Sequence, residues 1–485
     1  MKISVYNSLT KKVEELVPVK ENEIKMYSCG PTVYNHAHIG NMRSFLFADL
    51  VQRILRVVGK YDVNWVMNIT DIDDKTIRDS AKNSPVWHSD MGEQTDEPKE
   101  NLKKLTEYYQ DLFLEDIGKL GIDVEHFYAL PCATDFIDEM QELIRNIYKN
   151  GYAYISEGSV YFDVNKWRKD DVYGKLFKID FDNFRAGARV DSDEYEKENA
   201  SDFVLWKSMK ENEPFWDFEI DGKSCPGRPG WHIECSAMEY ELFGLPFDIH
   251  TGGIDLKFPH HEDEIAQSKA GYGIEPTKYW LHNEFLEVEG EKMSKSAGNF
   301  FTLRDLETKG LDPLDIRFSM LSAHYSTKFN FTFQGIESSK KARKRVQDFI
   351  YDLLESDNME GELLDVEKVK NTIFEELSND FHTPKALAGL FGLINSTNPK
   401  ALAANSRNEL LALLNDLNHI FAVWDFGTRP VEIIDIPEEI TELAAKRWQA
   451  KADRNFQLAD ELRKEIDSKG YIIKDTKTEY EIIKK

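Results

Sequence analysis

Two short segments, far apart in the chain, carry residues that could bind phosphate. The first, HAHIGN at positions 36–41, follows a predicted strand and opens a predicted helix. Backbone N–H groups at a helix N-terminus attract anions, and Gly40 lets a phosphate approach the backbone closely. The side chains of His36, His38 and Asn41 can donate hydrogen bonds to phosphate oxygens. The alternative is a loop with two surface histidines.

The second segment is KMSKSAGN at positions 292–299. Lys292 and Lys295 flank Met293 and Ser294, so two cations share one short loop. A mobile cationic loop can close over a triphosphate and neutralise the charge that develops on a leaving pyrophosphate. A solvated charge run is the ordinary alternative. Because the sequence has no Walker-type glycine-lysine loop, these two segments together are the candidate ATP site.

A third set of residues could bind a metal ion. His260 and Glu264 are four positions apart in PHHEDE, so they share one face of a predicted helix. Cys29 ends the first strand, and Cys235 lies in GWHIECSAM. Two thiolates, one imidazole and one carboxylate form a plausible Zn²⁺ set. Each also has a structural alternative, because a thiol can be a small buried apolar group, a histidine can cap its helix and a glutamate can be surface charge.

The predicted elements supply a scaffold that brings such residues together. A strand at 24–29, a helix from about 41 to 58 and a strand at 61–67 form a βαβ unit, which predicts a parallel sheet. Ligands bind at the carboxyl ends of parallel strands, where Cys29 and the 36–41 segment lie. We therefore expect an α/β fold with a Rossmann-type parallel sheet.

The remaining elements predict an insert and a helical C-terminal part. Thr134 is predicted to cap a helix at 135–150, and a hairpin turning at Gly158 follows it, so the stretch from 125 to 215 reads as an α+β insert. The chain is predicted to be helical from 338 to about 423, with an acidic interruption. The last 48 residues, 438–485, predict a charged helix and a strand.

Bulk properties exclude several classes of protein. The chain has 485 residues and a net charge of -26, which argues against a general nucleic-acid binder. Basic residues nevertheless cluster at 340–345 and at 446–464, where Trp448 and Phe456 could stack on bases. Four cysteines are too few for a disulfide scaffold, and no stretch approaches the roughly 20 apolar residues of a membrane span. We expect a cytoplasmic protein without a membrane segment.

Several segments resemble known signatures. HIGN and KMSKS are similar to the two signatures of class I aminoacyl-tRNA synthetases, with Asn41 in place of the usual second histidine. Longer segments resemble the cysteinyl-tRNA synthetase family: SCGPTVYNHAHIGN, NITDIDDK, GRPGWHIECSAM, FDIHTGGIDLKFPHHEDEIAQS and KMSKSAGNF. The likeness continues through RAGARVD, DFVLWK, HTPKAL and KADRNFQLADELRKEI, and covers nearly the whole chain.

The resemblance implies a set of site residues. In that family zinc is bound at the places of Cys29, Cys235, His260 and Glu264, and the other two cysteines, Cys132 and Cys225, are expected not to be ligands. The implied cysteine pocket consists of Gly30, Thr70, Trp231, His250 and Asp255. Trp231 would form a wall, Asp255 would meet the substrate ammonium and His250 would orient a metal ligand. Thr251 stands where a glycine is common, which puts the shape of that loop in doubt.

The resemblance also implies the reaction and the partners. The expected activity converts L-cysteine and ATP, with Mg²⁺, to cysteinyl-adenylate and pyrophosphate, and then transfers cysteine to tRNA(Cys); His38, Asn41, Lys292 and Lys295 would stabilise the reacting phosphates. Zn²⁺ binds thiolate far better than hydroxyl, so zinc would select cysteine over serine without an editing domain. The chain would act as a monomer.

The implied domains follow the same pattern. A Rossmann-type catalytic domain would occupy 1–124 and 216–310, and an insert would occupy 125–215. A stem-contact region would follow at 311–337, a helical bundle at 338–424 and a small anticodon-binding domain at 438–485.

Three alternatives share part of this pattern. A cysteine ligase of mycothiol synthesis would share the ATP and zinc segments but lack the C-terminal helical parts. A non-enzymatic zinc and RNA-binding module does not need the KMSKS loop. A synthetase for another amino acid does not need the two cysteines, the histidine and the glutamate.

Overall fold

The computed structural model describes residues 1–179, 202–294, 298–430, 436–475 and 480–484. The RAGARVD segment and the loop residues Lys295 and Ser296 lie outside the described residues. The chain forms two compact units, Met1–Phe426 and Gly427–Lys485. Within the described ranges, no helix has both the length and the apolar character that a membrane span requires.

The first unit begins with the elements that carry the candidate site. Its first part contains β1 (Ser4–Asn7), β2 (Lys12–Glu15), β3 (Glu23–Ser28), α1 (Ile39–Val57), β4 (Asp62–Met67), α2 (Asp74–Ser80), α3 (Pro98–Lys119) and β5 (Phe127–Ala129). Next come α4 (Ile137–Lys149), β6 (Ala153–Ser156), β7 (Ser159–Phe162), α5 (Val164–Asp170), β8 (Phe203–Ser208), β9 (Glu219–Ile220), β10 (Lys223–Ser224) and β11 (Gly227–Pro229).

The rest of the first unit returns to the central sheet and ends in helices. It contains α6 (Trp231–Phe243), β12 (Phe247–Gly253), α7 (His260–Tyr272), β13 (Thr277–Asn283), β14 (Leu286–Val288), β15 (Glu291–Lys292), α8 (Leu303–Thr308), α9 (Pro313–Leu321) and β16 (Phe329–Phe331). The final helices are α10 (Phe333–Leu354), α11 (Val366–Ser378), α12 (Thr383–Ser396) and α13 (Ala404–Phe421).

A parallel sheet of five strands forms the centre of this unit, which confirms the predicted α/β class. The strand order is β13, β12, β3, β4, β5, and every neighbouring pair is parallel. Strands covered by helices on their faces must be apolar, and Ile24 and Met26 of β3 are fully buried beside Val63 and Trp65 of β4. The βαβ unit predicted from the sequence is β3–α1–β4.

A second, antiparallel sheet is formed by strands that lie, in chain order, between the two halves of the central one. Its strand order is β11, β8, β7, β6. The predicted hairpin is β6–β7, and Gly158 in its turn has a φ of 81°, which favours glycine. The predicted cap is wrong, because α4 begins at Ile137 without a side-chain cap and Thr134 bonds instead to Asp71.

A buried cluster of charged side chains connects α1 with the later helices α9 and α13. Asp49 in α1 is fully buried and accepts hydrogen bonds from Arg53 at 2.8 Å and from Arg317 of α9 at 2.6 Å. Arg317 also donates to the carbonyl of Leu120 after α3, and Arg53 donates to that of His419 in α13. The Asp49 carboxylate therefore binds two arginines, whose other contacts lie at the end of α3 and in α13.

The second unit has its own small core. It contains α14 (Glu438–Ala452), α15 (Phe456–Ser468) and an antiparallel hairpin of β17 (Tyr471–Asp475) and β18 (Tyr480–Lys484). The buried side chains that form the core are Ile440, Leu443, Ala444, Ile466, Tyr471 and Ile473.

Some residues of the two predicted basic clusters have structural roles. Arg447 is only 4% exposed and forms two bonds of 2.7 and 2.9 Å with Asp475. In the first cluster, Arg343 pairs with Asp315 at 2.6 Å and with Asp312 at 2.8 Å. The sequence could not show this, because each acidic partner lies far from its arginine in the chain. Phe456, by contrast, is 62% exposed.

Candidate metal centre and nucleotide site

The carboxyl edge of the central sheet brings the four predicted metal ligands together. Cys29 directly follows β3, Cys235 lies in the second turn of α6, and His260 and Glu264 lie one turn apart at the start of α7. One possible ligand atom from each residue lies within 4.8 Å of all the others, and three of the four residues are buried. Neither Cys132 nor Cys225 belongs to such a group in the part of the chain that the structure describes.

The spacing of these atoms suits one small ion. Nε2 of His260 lies 2.9 Å from Oε1 of Glu264 and 3.6 Å from Sγ of Cys235. Sγ of Cys29 lies 4.0 Å from Oε1 of Glu264. Ligands around a tetrahedral ion with bonds of about 2.0–2.3 Å are about 3.3–3.8 Å apart. The 3.6 Å distance lies in this range, while the 2.9 and 4.0 Å distances lie just below and just above it, so these three contacts need adjustments of less than about 0.5 Å to hold a zinc-sized ion.

The electrostatics of the cluster also suit a cation. Burial raises the pKa of the Cys29 thiol to about 11. The Cys29 sulfur, together with burial, raises the pKa of Cys235 well above its ordinary value. Burial alone would raise the pKa of Glu264, but the charges on His250 and His260 overcome it and lower that pKa. A divalent ion favours thiolate over thiol and would relieve this cost of burying two sulfur ligands.

Further histidines and a glutamate surround the ligands, and most of them were missed in the sequence. Nε2 of His250 lies 2.9 Å from Glu239 and 3.0 Å from Glu264, so His250 does contact a predicted ligand. His232 contacts His260 at 2.9 Å between their Nδ1 atoms. The only sequence signal for this shell is the density of histidines between 225 and 300.

A second group of possible ligands shares two residues with the first. Cys29 and Glu264 also lie within 4.8 Å of ligand atoms on His250 and His261. Nε2 of His261 is 3.3 Å from Sγ of Cys29, and its Nδ1 is 2.8 Å from His282. Sequence spacing cannot rank these two groups, because His250, His260 and His261 all lie within the same short stretch.

The residues of the predicted cysteine pocket lie around this cluster. The ring of Trp231 stacks on that of His260 with 4.2 Å between the ring centres. Thr70 is buried, and its hydroxyl donates to Glu234 at 2.8 Å. Gly30 directly follows Cys29, and its N–H donates to Asn68 at 2.9 Å. A side chain on Gly30 would collide with the Asn68 carbonyl, so only glycine fits there.

Asp255 and Thr251 lie in different types of secondary structure. Asp255 lies on a short helical turn, Ile254–Lys257; desolvation raises its pKa, and the charges on Lys292 and His260 oppose that rise. Thr251 was expected in a loop of uncertain shape, and that expectation is wrong. It lies inside β12, paired with β13, and its hydroxyl donates to Ser28 at 2.9 Å.

The HIGN segment forms the start of α1 in an unexpected way. Nδ1 of His38 accepts the backbone N–H groups of Gly40 at 3.1 Å and of Asn41 at 3.2 Å. The side chain of Asn41 accepts the N–H of His38 at 3.2 Å, which completes a capping box. The N–H of Ile39 donates to Phe301. These backbone N–H groups, which we expected to bind phosphate, therefore already have acceptors, while the edge of the His36 ring packs against Tyr109.

The KMSKS segment lies next to the HIGN segment in space. A Cβ atom on Gly40 would come within 2.5 Å of the terminal methyl group of Met293, so the methionine covers the glycine closely. Asn299 holds the two sides of the loop together, accepting from the N–H of Ser294 at 2.8 Å and donating to the carbonyl of Lys292 at 3.2 Å. The two segments are about 250 residues apart in sequence but are in contact in the fold.

Comparisons with known proteins concern the family of the chain. A family profile described as "tRNA synthetases class I (C) catalytic domain" matches residues 15–341. A cysteine–tRNA ligase from Brachyspira hyodysenteriae is 44% identical over 487 residues, covering 98% of both chains. Another from Leptospira interrogans is 40% identical over 490 residues, again covering 98% of both.

Solved structures support the same fold. A Mycobacterium tuberculosis methionyl-tRNA synthetase in complex with methionyl-adenylate matches with a TM-score of 0.55 at 14% identity, covering 82% of this chain and 89% of that one. A LeuRS-tRNA-LeuAMS ternary complex from Agrobacterium radiobacter matches with a TM-score of 0.56 at 11% identity, covering 84% and 85%. The profile match and the curated relatives show that the chain belongs to the cysteine–tRNA ligase family of class I tRNA synthetases.

Proposed function

We propose that the enzyme activates L-cysteine with ATP to cysteinyl-adenylate and pyrophosphate, then transfers cysteine to tRNA(Cys), and selects cysteine through a bound zinc ion. The observation that carries the proposal is the convergence of Cys29, Cys235, His260 and Glu264 in a fold that also joins the two ATP segments. The proposed domain division given above, including the stem-contact and anticodon-binding parts, belongs to this proposal, as does action as a monomer.

The first step needs positioning and charge stabilisation more than acid–base catalysis. The cysteine carboxylate is already a nucleophile, so it can attack the α-phosphate as pyrophosphate leaves. Because Nδ1 of His38 accepts two N–H bonds, the ring proton resides on Nε2, and that nitrogen would donate to the phosphates. The amide oxygen of Asn41 accepts from the N–H of His38, so its NH₂ group is the part that would donate to the phosphates of ATP. Lys292 and Lys295 would stabilise the departing pyrophosphate.

The amino-acid pocket explains the choice of substrate. Zinc held by the four ligands would supply a soft Lewis acid that binds a thiolate and discriminates against a hydroxyl. Trp231 supports His260 by stacking, and His250 holds Glu264 in place. Asp255 would meet the substrate ammonium. In the second step, a ribose hydroxyl at the tRNA end attacks the cysteinyl carbonyl and AMP leaves.

The test is cysteine-dependent exchange of labelled pyrophosphate into ATP, followed by charging of tRNA(Cys). Wild-type protein should do both. Lys292→Met should slow exchange by on the order of a hundredfold, because it removes one charge that stabilises the leaving group. Lys2→Met is the control, because Lys2 is also an exposed lysine but pairs with Glu15 of β2, a strand that pairs with β1 and not with the β14–β15 hairpin.

Exchange that does not depend on cysteine would contradict the proposed substrate. Exchange without any charging of tRNA(Cys) would contradict the transfer step and favour a ligase that uses a small amine instead.

A further inference from the structure

Arg43 is a buried arginine in α1 that the proposed chemistry does not use. It lies two residues after Asn41, just beyond the HIGN segment, and is only 4% exposed. Among the described residues, no carboxylate lies within salt-bridge distance of its guanidinium group, and Glu284 acts on its charge only from farther away. A buried charge without an ionic partner is costly unless other polar groups solvate it.

Backbone carbonyls solvate this guanidinium group. Nη1 donates to the carbonyl of Phe285 at 2.5 Å, and Nη2 donates to that of Thr327 at 2.5 Å and to that of Tyr325 at 3.4 Å. The guanidinium carbon also lies 5.4 Å from the ring centre of Phe329. Arginine suits this position because its planar fork can reach acceptors on two segments at once, which a lysine ammonium cannot do in the same geometry.

The carbonyls belong to the base of the loop that carries the KMSKS segment. Phe285 immediately precedes β14, and Thr327 lies two residues before β16, its parallel neighbour. On its other side β14 pairs with β15, where Glu287 lies opposite Lys292. Phe285, whose carbonyl accepts the guanidinium hydrogen bond, therefore lies two residues before Glu287, the cross-strand neighbour of Lys292.

The same helix meets the other end of the loop directly. The N–H of Ile39 donates to the carbonyl of Phe301 at 2.9 Å, and Met293 covers Gly40. The helix α1 therefore starts within the HIGN segment, contacts the start of the β14–β15 hairpin through Arg43, and contacts the chain after the KMSKS loop through Ile39.

We propose that Arg43 is a positioning residue that fixes the base of the β14–β15 hairpin relative to α1, so that Lys292 and the HIGN side chains face the same triphosphate. The inference rests on the proposed function. It assigns Arg43 no contact with substrate: its effect passes through the Phe285 and Thr327 carbonyls.

The test compares Arg43→Ala with wild-type protein in cysteine-dependent pyrophosphate exchange. The kcat/KM for ATP should fall by about tenfold to a hundredfold, because small misplacement of a catalytic group has effects of that size. The KM for cysteine and the zinc content should stay at wild-type values. Added guanidinium at low millimolar concentration should restore part of the lost activity, because it can refill the site between the carbonyls.

Arg56→Ala is the matched control. Arg56 lies in the same helix and also donates to a backbone carbonyl, that of Val63, at 2.5 Å, but it faces β4 and not the hairpin. It should lower the melting temperature without changing the KM for ATP or responding to guanidinium. Arg43→Lys keeps the charge and serves as the second variant if Arg43→Ala does not fold; it should show the same loss for ATP with a near-normal melting temperature.

Two results would overturn the inference while wild-type exchange is intact. One is an unchanged kcat/KM for ATP in both Arg43 variants. The other is a parallel loss for ATP and cysteine that matches the loss in Arg56→Ala, which would indicate general destabilisation. A wild-type protein without exchange would instead contradict the proposed function itself.

Discussion

At the scale of single residues, the proposed metal site combines side chains whose ionisation burial and neighbouring charges shift in opposite directions. Burial raises the pKa of the Cys29 thiol to about 11, while the nearby imidazoles lower the pKa of Glu264. The site thus holds two thiols that ionise less readily than usual next to a carboxyl group that ionises more readily. A divalent cation satisfies all of them at once, which is why the cluster reads as a binding site and not as an ordinary part of the core.

The first residue-scale prediction concerns Cys235. Cys235→Ser replaces a soft sulfur ligand by a hydroxyl, so the purified protein should retain less zinc and its KM for cysteine should rise at least about tenfold. Metal content by mass spectrometry and cysteine-dependent exchange measure the two effects. Cys225→Ser is the control, because Cys225 is equally buried but belongs to neither group of possible ligands among the described residues. Equal zinc contents in the two variants would contradict the assigned ligand set.

The second residue-scale prediction concerns Asn41. Its side chain both completes the capping box and would contact ATP, so Asn41→Ala should destabilise the fold by about 1 kcal/mol and raise the KM for ATP. Asn41→Asp keeps the capping acceptor but loses the NH₂ donor, so it should keep the stability and still impair ATP binding. Denaturant unfolding and exchange kinetics separate the two roles. Normal ATP binding in Asn41→Asp would argue against a phosphate contact.

At the scale of elements, the sequence predicted well what periodic patterns encode. The β3–α1–β4 unit and the β6–β7 hairpin have short-range signals in apolar spacing and turn glycines. The cap by Thr134 and the loop at Thr251 were wrong, because both threonines bond to residues distant in sequence, Asp71 and Ser28. The four predicted ligands were identified by resemblance, whereas the surrounding His232, His261, His282 and Glu239 depend on packing that spacing alone does not reveal.

The element-scale prediction concerns Asp49, which joins α1 to α9 through two arginines. Asp49→Asn leaves Arg53 and Arg317 buried without their counter-charge, so the free energy of unfolding should fall by about 3–5 kcal/mol. Urea unfolding measures the change. Asp62→Asn, at an exposed position at the start of β4, should change it by less than about 0.5 kcal/mol. Similar small effects of both substitutions would contradict an anchoring role.

The same cluster predicts a pH dependence. Burial alone would raise the pKa of Asp49, but Arg317 and Arg53 overcome it and hold that pKa below its ordinary value. A carboxyl with a lowered pKa in the folded state contributes stability above its unfolded pKa, near pH ~4, and loses it as the pH falls through the folded value. Wild-type protein should therefore lose more stability below about pH 4 than Asp49→Asn does. Identical acid unfolding profiles would contradict this contribution.

At the scale of the whole molecule, the chain forms two units that each have a core, and the predicted chemistry lies in the first unit. The predicted ATP and metal residues that the structure describes all lie in Met1–Phe426, and the second unit has a separate core. We therefore expect a chain ending at Phe426 to retain cysteine-dependent pyrophosphate exchange while charging of tRNA(Cys) falls sharply. Exchange and charging rates of the truncated and full-length proteins measure this. An equal loss of both rates would contradict the division.

We propose above that a metal ion held by Cys29, Cys235, His260 and Glu264 recognises the substrate through its sulfur. The most direct measurement replaces the native metal with Co²⁺ and follows the thiolate-to-cobalt absorption while amino acids are added. Cysteine is expected to intensify this absorption, whereas serine and alanine should leave it unchanged. An unchanged spectrum with cysteine, at concentrations that support pyrophosphate exchange, would contradict it.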